Sequence, residues 1–396
     1  MGWLMGKLRS NSADDLDRFD LIRSKDMMDL DEIDWAKEEH RRRIAACLVK
    51  GVYVHENDRA KRRAVKLAPA WWESFGFRLE DEIRDDKCGS TIYGAIFEYT
   101  ASQPCAPRYV VAFRGTTRNI RDYYHDLKLV MNKLKKRTRC VQACDRIEGL
   151  TKEEGQDGRV WLAGHSLGAA VALVVGRHMV EREEPLSLPA FLFNPPYLAS
   201  ITSINLLNLL KADPVAKRHF YFASSILKAA AGLVLVSHRE RREISFRRVS
   251  AWVPNLYVHE DDWICRGFIG YFEAREEFKE SLARVGVWFK DHFGGRDRFK
   301  KIFTRVGIWS MALSHRDVLS WALLGKDKEQ PHLLPSVTLW KSRFDPKHAH
   351  DLRHWWKPDS ELKLGAGTSF SCPVHEAQTT SSYMPASSTQ WAALAS

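Results

Sequence analysis

The chain alternates short, wholly apolar runs with longer segments whose apolar residues recur at helical spacing. Thr91–Tyr99 and Arg108–Phe113 read as strands, separated by the turn Gln103-Pro-Cys-Ala-Pro107. Val160-Trp-Leu-Ala163, Ala190–Phe193 and Leu256–His259 read as further buried strands, and Leu333–Trp340 as the last. Between them the pattern changes. Asp34 to about Val54 carries Ile44, Leu48 and Val52 on one helical face. Helices are also expected over Asn119 to about Leu134, over Arg139–Glu148, along the Ala-rich run after Ser166, and from Phe268 to Gly325. Trp71, Trp72 and Phe75 read as packing residues. Short buried strands alternating with helices predict an α/β fold built on a mostly parallel sheet, with flanking helices and helical insertions.

The same pattern divides the chain. Residues 1–31 are polar and acid-rich and read as a weakly ordered arm. Residues 32–362 form the main domain, with insertions at about 200–250 and 268–330. Residues 363–396, rich in Ser, Thr, Gly and Ala, are expected to be disordered.

Composition narrows the function classes. With 44% hydrophobic and 28% charged residues the chain is not disordered as a whole. It has no apolar run long enough for a membrane span, and its start is too weakly apolar for a secretory signal. Gly6 stands where N-myristoylation wants Ser or Thr. Seven cysteines, an odd number, show no metal-ligand spacing and fit reduced thiols in the cytoplasm. Cys140 and Cys144 share a helix face, which suits packing. No metal and no cofactor is expected. The net charge of +11 is clustered at Arg41–Arg43, Lys61–Arg63, Lys133–Arg139 and Arg239–Arg248. Solvated helix faces are the plainest account of these clusters. Arg239–Arg248 and the helices at 268–310 would also suit peripheral contact with an anionic membrane. No nucleic-acid-binding signature is present, so no nucleic acid partner is expected, and no oligomeric state is specified.

Candidate chemistry centres on Gly164-His165-Ser166-Leu167-Gly168. A strand before this G-x-S-x-G pattern and a helix after it describe a nucleophile elbow, in which the flanking glycines let strand and helix pass closely. Ser166 would then present its hydroxyl at the turn. A serine needs a base, and the base an orienting acid. Asp261 and Asp262 follow a later strand, and His348, His350 and His354 follow the last one. The order Ser, Asp, His fits an α/β sheet whose chemistry lies beyond the strand C-termini. Spacing alone leaves both acids and all three histidines open, and disfavours His332 at the other end of the sheet. For the oxyanion hole, the N–H of Leu167 and one from the turn Phe113-Arg114-Gly115-Thr116 are the candidates. Thr116 is preferred there, with Arg114 in a structural role.

Several stretches resemble the class 3 (fungal lipase-like) α/β-hydrolases: Val110–Thr116, Leu162–Ala169, Phe193–Pro196, Asn255–Cys265, Leu333–Ser336 and Ala349–Pro358. The chain is most similar to the plant subgroup named "GDSL esterase/lipase", although it has no Gly-Asp-Ser-Leu block. The resemblance implies an α/β-hydrolase fold. It implies an acid at Asp262, a base at His350 and an oxyanion position at Thr116. A serine hydrolase of acyl or lipid esters is then expected, acting through an acyl-enzyme on a small-molecule substrate. A catalytically silent binding or signalling protein on the same scaffold is the alternative. The resemblance also implies that the segment after Asn194-Pro195-Pro196 helps cover the site.

Overall fold

The computed structural model describes residues 28, 32–62, 64, 71–85, 90–116, 138–154, 159–197, 244, 247–273, 275–276 and 334–371. The expected helix at Asn119–Leu134, His332, and most of the arm, the two insertions and the basic clusters after Lys133 lie outside the described residues.

Eight strands form one sheet in chain order. They are β1 (Phe77–Asp85), β2 (Thr91–Tyr99), β3 (Tyr109–Phe113), β4 (Val160–His165), β5 (Ala190–Phe193), β6 (Asn255–His259), β7 (Val337–Ser342) and β8 (Thr368–Phe370). From β3 to β7 neighbours run parallel. The β1–β2, β2–β3 and β7–β8 pairs are antiparallel. The mostly parallel α/β sheet is therefore the one expected. Strands β3, β4 and β5 are buried along their whole length, which is why they are apolar runs rather than alternating ones.

Two strands depart from the sequence reading. Strand β1 carries the charged run Phe-Arg-Leu-Glu-Asp-Glu-Ile-Arg-Asp, with buried and open positions interleaved. As the edge of the sheet it has solvent on one side, so charges are tolerated and protect the edge. Leu333–Trp340 was expected to end the sheet, yet β7 is followed by β8 inside the segment expected to be disordered. Thr368–Phe370, at three residues, is too short to show a pattern. Pairing with β7 holds it, and so does Phe370, stacked 5.0 Å from Phe272.

Helix α1 (Glu38–Lys61) covers one face of the sheet. It buries Ile44, Leu48 and Val52 as expected, and runs past Val54 to Lys61, with Arg59 and Glu56 paired on its last turns. Glu38 and Glu39 in its first turn and Arg59 and Lys61 in its last complement the helix dipole. Trp72 and Phe75, on a short 3-10 turn, pack beneath it. Aromatic rings fill this layer: Trp161 lies 5.0 Å from Phe191, and Tyr257 lies 5.5 Å from Trp355. Helices α2 (Thr138–Glu154) and α3 (Leu167–Glu181) cover the opposite face. Cys140 and Cys144 are buried there as packing residues. No described helix is long and apolar enough to cross a membrane.

One clamp joins the two ends of the fold. The fully buried guanidinium of Arg42, on α1, donates to the carbonyls of Trp355 at 2.5 Å and Lys357 at 3.0 Å, and to Asp359 at 2.5 Å. Arg43 adds a bond to the Trp356 carbonyl at 2.9 Å. These contacts seat the turn Leu352–Trp356, which follows His350 directly, against α1. Within that turn His354 is buried beside His259, at a ring distance of 5.3 Å. Burial, reinforced by the neighbouring His259, pushes the His354 pKa down to about 4.

Two outcomes are expected. Arg42→Met should destabilise the fold by about 3–5 kcal/mol in urea unfolding, because buried acceptors lose their donor. An unfolded histidine gains its proton near pH 6.5, whereas folded His354 stays neutral to about pH 4. In that window the unfolded state binds the extra proton, so stability falls as pH falls, by up to about 1.4 kcal/mol per unit. Unfolding curves at about pH 7 and about pH 5 should show a shallower loss in His354→Leu than in the wild type.

Candidate active site

Strand β4 ends at His165 and helix α3 begins at Leu167, leaving Ser166 as the single turning residue. Its backbone is held at φ 55°, ψ −124°, a conformation that L-residues rarely adopt. The neighbours explain why small residues flank it. A Cβ on Gly164 would lie 2.5 Å from the Gly168 carbonyl oxygen, and one on Gly168 2.3 Å from that of Phe113. Either contact is prohibitive. The Ser166 N–H bonds the Phe193 carbonyl at 2.9 Å, which fixes the turn to β5. Serine at a helix N-cap usually bonds the first turn through its hydroxyl. Ser166 makes no such bond; its Oγ lies 3.0 Å from Nε2 of His350.

The other nitrogen of His350 lies 2.6 Å from Oδ2 of Asp262. Asp262 is buried, and its carboxylate is otherwise satisfied. Oδ1 accepts the Ile264 N–H at 3.0 Å, and Oδ2 accepts the Cys265 thiol at 3.0 Å. A carboxylate on Nδ1 requires a proton there, which leaves the Nε2 lone pair facing the serine hydroxyl. The residues that spacing left open now separate. Asp261 is exposed, and its N–H bonds Nδ1 of His259. His348 is exposed and pairs with Asp345 at 2.8 Å. His354 packs on His259 and Phe344.

The loop after β3 abuts the elbow. A Cβ on Gly115 would fall 2.9 Å from both the His165 carbonyl oxygen and the Ser166 Cβ. Thr116 follows Gly115 in that loop, and Leu167 is the residue after the serine, at the start of α3. The Arg114 guanidinium bonds the carbonyls of Ile92 and Gly115, each at 2.6 Å, the structural part expected of it.

Three contributors were not legible in the sequence. Asn194, given no role of its own within the family stretch Phe193–Pro196, has a left-handed backbone and donates its side-chain amide to the Ala349 carbonyl at 3.0 Å. Cys265, read as an ordinary thiol, touches Asp262. Tyr53 was hidden among the apolar positions of α1. Its hydroxyl lies 2.9 Å from Nδ1 of His165 and accepts the Gly115 N–H at 2.7 Å. Elbow residue His165 places Nε2 2.9 Å from the His350 carbonyl oxygen. Only the nucleophile motif and the resemblance offered a signal, and neither reaches a tyrosine on the opposite face of the sheet. Among the described residues no cluster of His, Cys, Asp and Glu could hold a metal ion.

Comparison with known proteins identifies the family. The family model of class 3 lipases matches residues 110–203, a span that opens within β3 and contains the elbow and β5. The chain is 33% identical over 364 residues to the protein named GDSL esterase/lipase At4g10955 of Arabidopsis thaliana, covering 84% of this chain and 93% of that one. No solved structure matches. The likeness to the Arabidopsis protein extends far beyond the elbow over nearly the full length of both chains, and this chain belongs to the class 3 lipase family.

Proposed function

We propose that the protein is a serine hydrolase of carboxylic esters, with an acyl or lipid ester as its substrate. The observation that carries this reading is the unbroken hydrogen-bonded line from Ser166 Oγ through the His350 ring to the buried carboxylate of Asp262. In this reading Ser166 Oγ attacks the ester carbonyl carbon while Nε2 of His350 takes its proton. The carbonyl oxygen becomes an oxyanion, received by the N–H groups of Leu167 and Thr116. When the tetrahedral intermediate collapses, the carbon–oxygen bond to the alcohol breaks, and the His350 proton leaves with the alcohol. Water then attacks the acyl-serine by the reverse path and frees the acid. Asp262 keeps the imidazole in the productive tautomer and stabilises its cation. The chemistry calls on no metal or organic cofactor. Cys47, Cys140, Cys144 and Cys265 are buried as thiols and not as disulfides, which suits a cytoplasmic setting.

Purified protein should hydrolyse a short-chain p-nitrophenyl ester and become labelled by a fluorophosphonate. Ser166→Ala should abolish labelling and lower turnover by about 10³-fold or more, and Asp262→Asn should lower kcat by about 10⁴-fold. Wild-type protein that neither labels nor turns over would leave a silent scaffold as the better reading.

A further inference from the structure

We propose that Tyr53 and His165 are positioning residues that tie the oxyanion loop to the backbone of the base, so that both halves of the site are set by one chain of hydrogen bonds. The inference rests on the serine hydrolase reading above. Each link is defined. The Gly115 N–H donates to the Tyr53 oxygen at 2.7 Å, and the Tyr53 hydroxyl is 2.9 Å from Nδ1 of His165. Nε2 of His165 is 2.9 Å from the carbonyl oxygen of His350. A carbonyl can only accept, so Nε2 carries the ring proton. Nδ1 is then an acceptor, which directs the Tyr53 O–H to it and leaves the tyrosine oxygen free to take the Gly115 N–H. Every donor meets one acceptor, and only the neutral Nε2–H tautomer permits the whole chain. Burial, with the nearby His350 ring, pushes His165 down to about 3, so it stays neutral beside an imidazole that must become cationic.

The consequence is mechanical. Gly115 is wedged between Tyr53 and the elbow, where even a Cβ would sit 2.6 Å from the Tyr53 oxygen. Holding its N–H aims the next peptide, which carries the Thr116 N–H. At the other end, the carbonyls of Ala349 and His350 are gripped by Asn194 and His165, so the base enters its pocket with its backbone fixed on both sides. Tyr53 itself comes from α1, far away in sequence, and acts through Gly115 and His165.

The test is a double-mutant cycle on ester hydrolysis with Tyr53→Phe, His165→Asn and the pair. Tyr53→Phe keeps the ring and removes only the hydroxyl. The expected result is a fall in kcat of about 10-fold or more for each single variant with KM within about twofold, and no further loss in the pair, because either change breaks the same chain. Wild-type kcat in folded Tyr53→Phe, or losses that multiply in the pair, would overturn the proposal while leaving the hydrolase reading intact. A wild-type protein that fails to label with fluorophosphonate overturns both. Should His165→Asn fail to fold, ¹⁵N NMR of the wild-type imidazoles decides. A neutral Nε2–H form of His165 that shifts in Tyr53→Phe supports the chain, and an Nδ1–H form refutes it.

Discussion

The close passage of α3 over the end of β3 is the constraint on which the site depends. With a gap at Gly168 too small for one carbon atom, the helix can start only where it does, and Ser166 must turn through a backbone conformation that residues with side chains avoid. That strain is affordable because the surroundings over-determine the turn. Its N–H is bonded to β5, its flanks are buried strand and buried helix, and the loop carrying Gly115 closes over it. Among the described residues the serine hydroxyl is left with one partner, the imidazole.

The imidazole, by contrast, is carried by irregular chain. His350 sits between two short 3-10 turns and has no strand or helix to aim it. Its placement is assembled from outside: Asp262 at the ring, Asn194 and His165 at the backbone, and Arg42 behind the following turn. The structure thus divides precision unequally. Ser166 inherits its position from regular elements, and His350 receives it from single side chains. Loss of one such side chain should therefore be felt more in turnover than in fold, except at Arg42, where a buried charge is at stake.

This division also explains what the sequence made legible. Buried parallel strands are apolar along their whole length, so β3, β4, β5 and β6 stand out, and the elbow with them. Strand β1 did not, because an edge can be as charged as Phe77–Asp85. Strand β8 did not, because three residues are too few to show a pattern. Ser166 was readable from spacing. Asp262 and His350 needed the family resemblance to be chosen over Asp261, His348 and His354, since burial and contact distinguish them and spacing does not. Tyr53, Asn194 and Cys265 were silent for the same reason: a hydroxyl, an amide and a thiol acquire their roles only from what the fold brings within 3 Å or so.

The Arg42 clamp has a consequence for how the molecule is made. Its partners at Trp355 and Lys357 lie more than 300 positions downstream (313 and 315), so α1 leaves the ribosome long before anything can satisfy that guanidinium. Until those residues have been made, one face of α1 holds an unmatched cation and the aromatic layer lacks Trp355 and Trp356. Docking of the turn after His350 is then the step that fills this aromatic layer and brings His350 to Ser166 together. A nascent or truncated chain should have its elbow formed and its chemistry off, so that maturity of the fold and competence of the site arrive as one event.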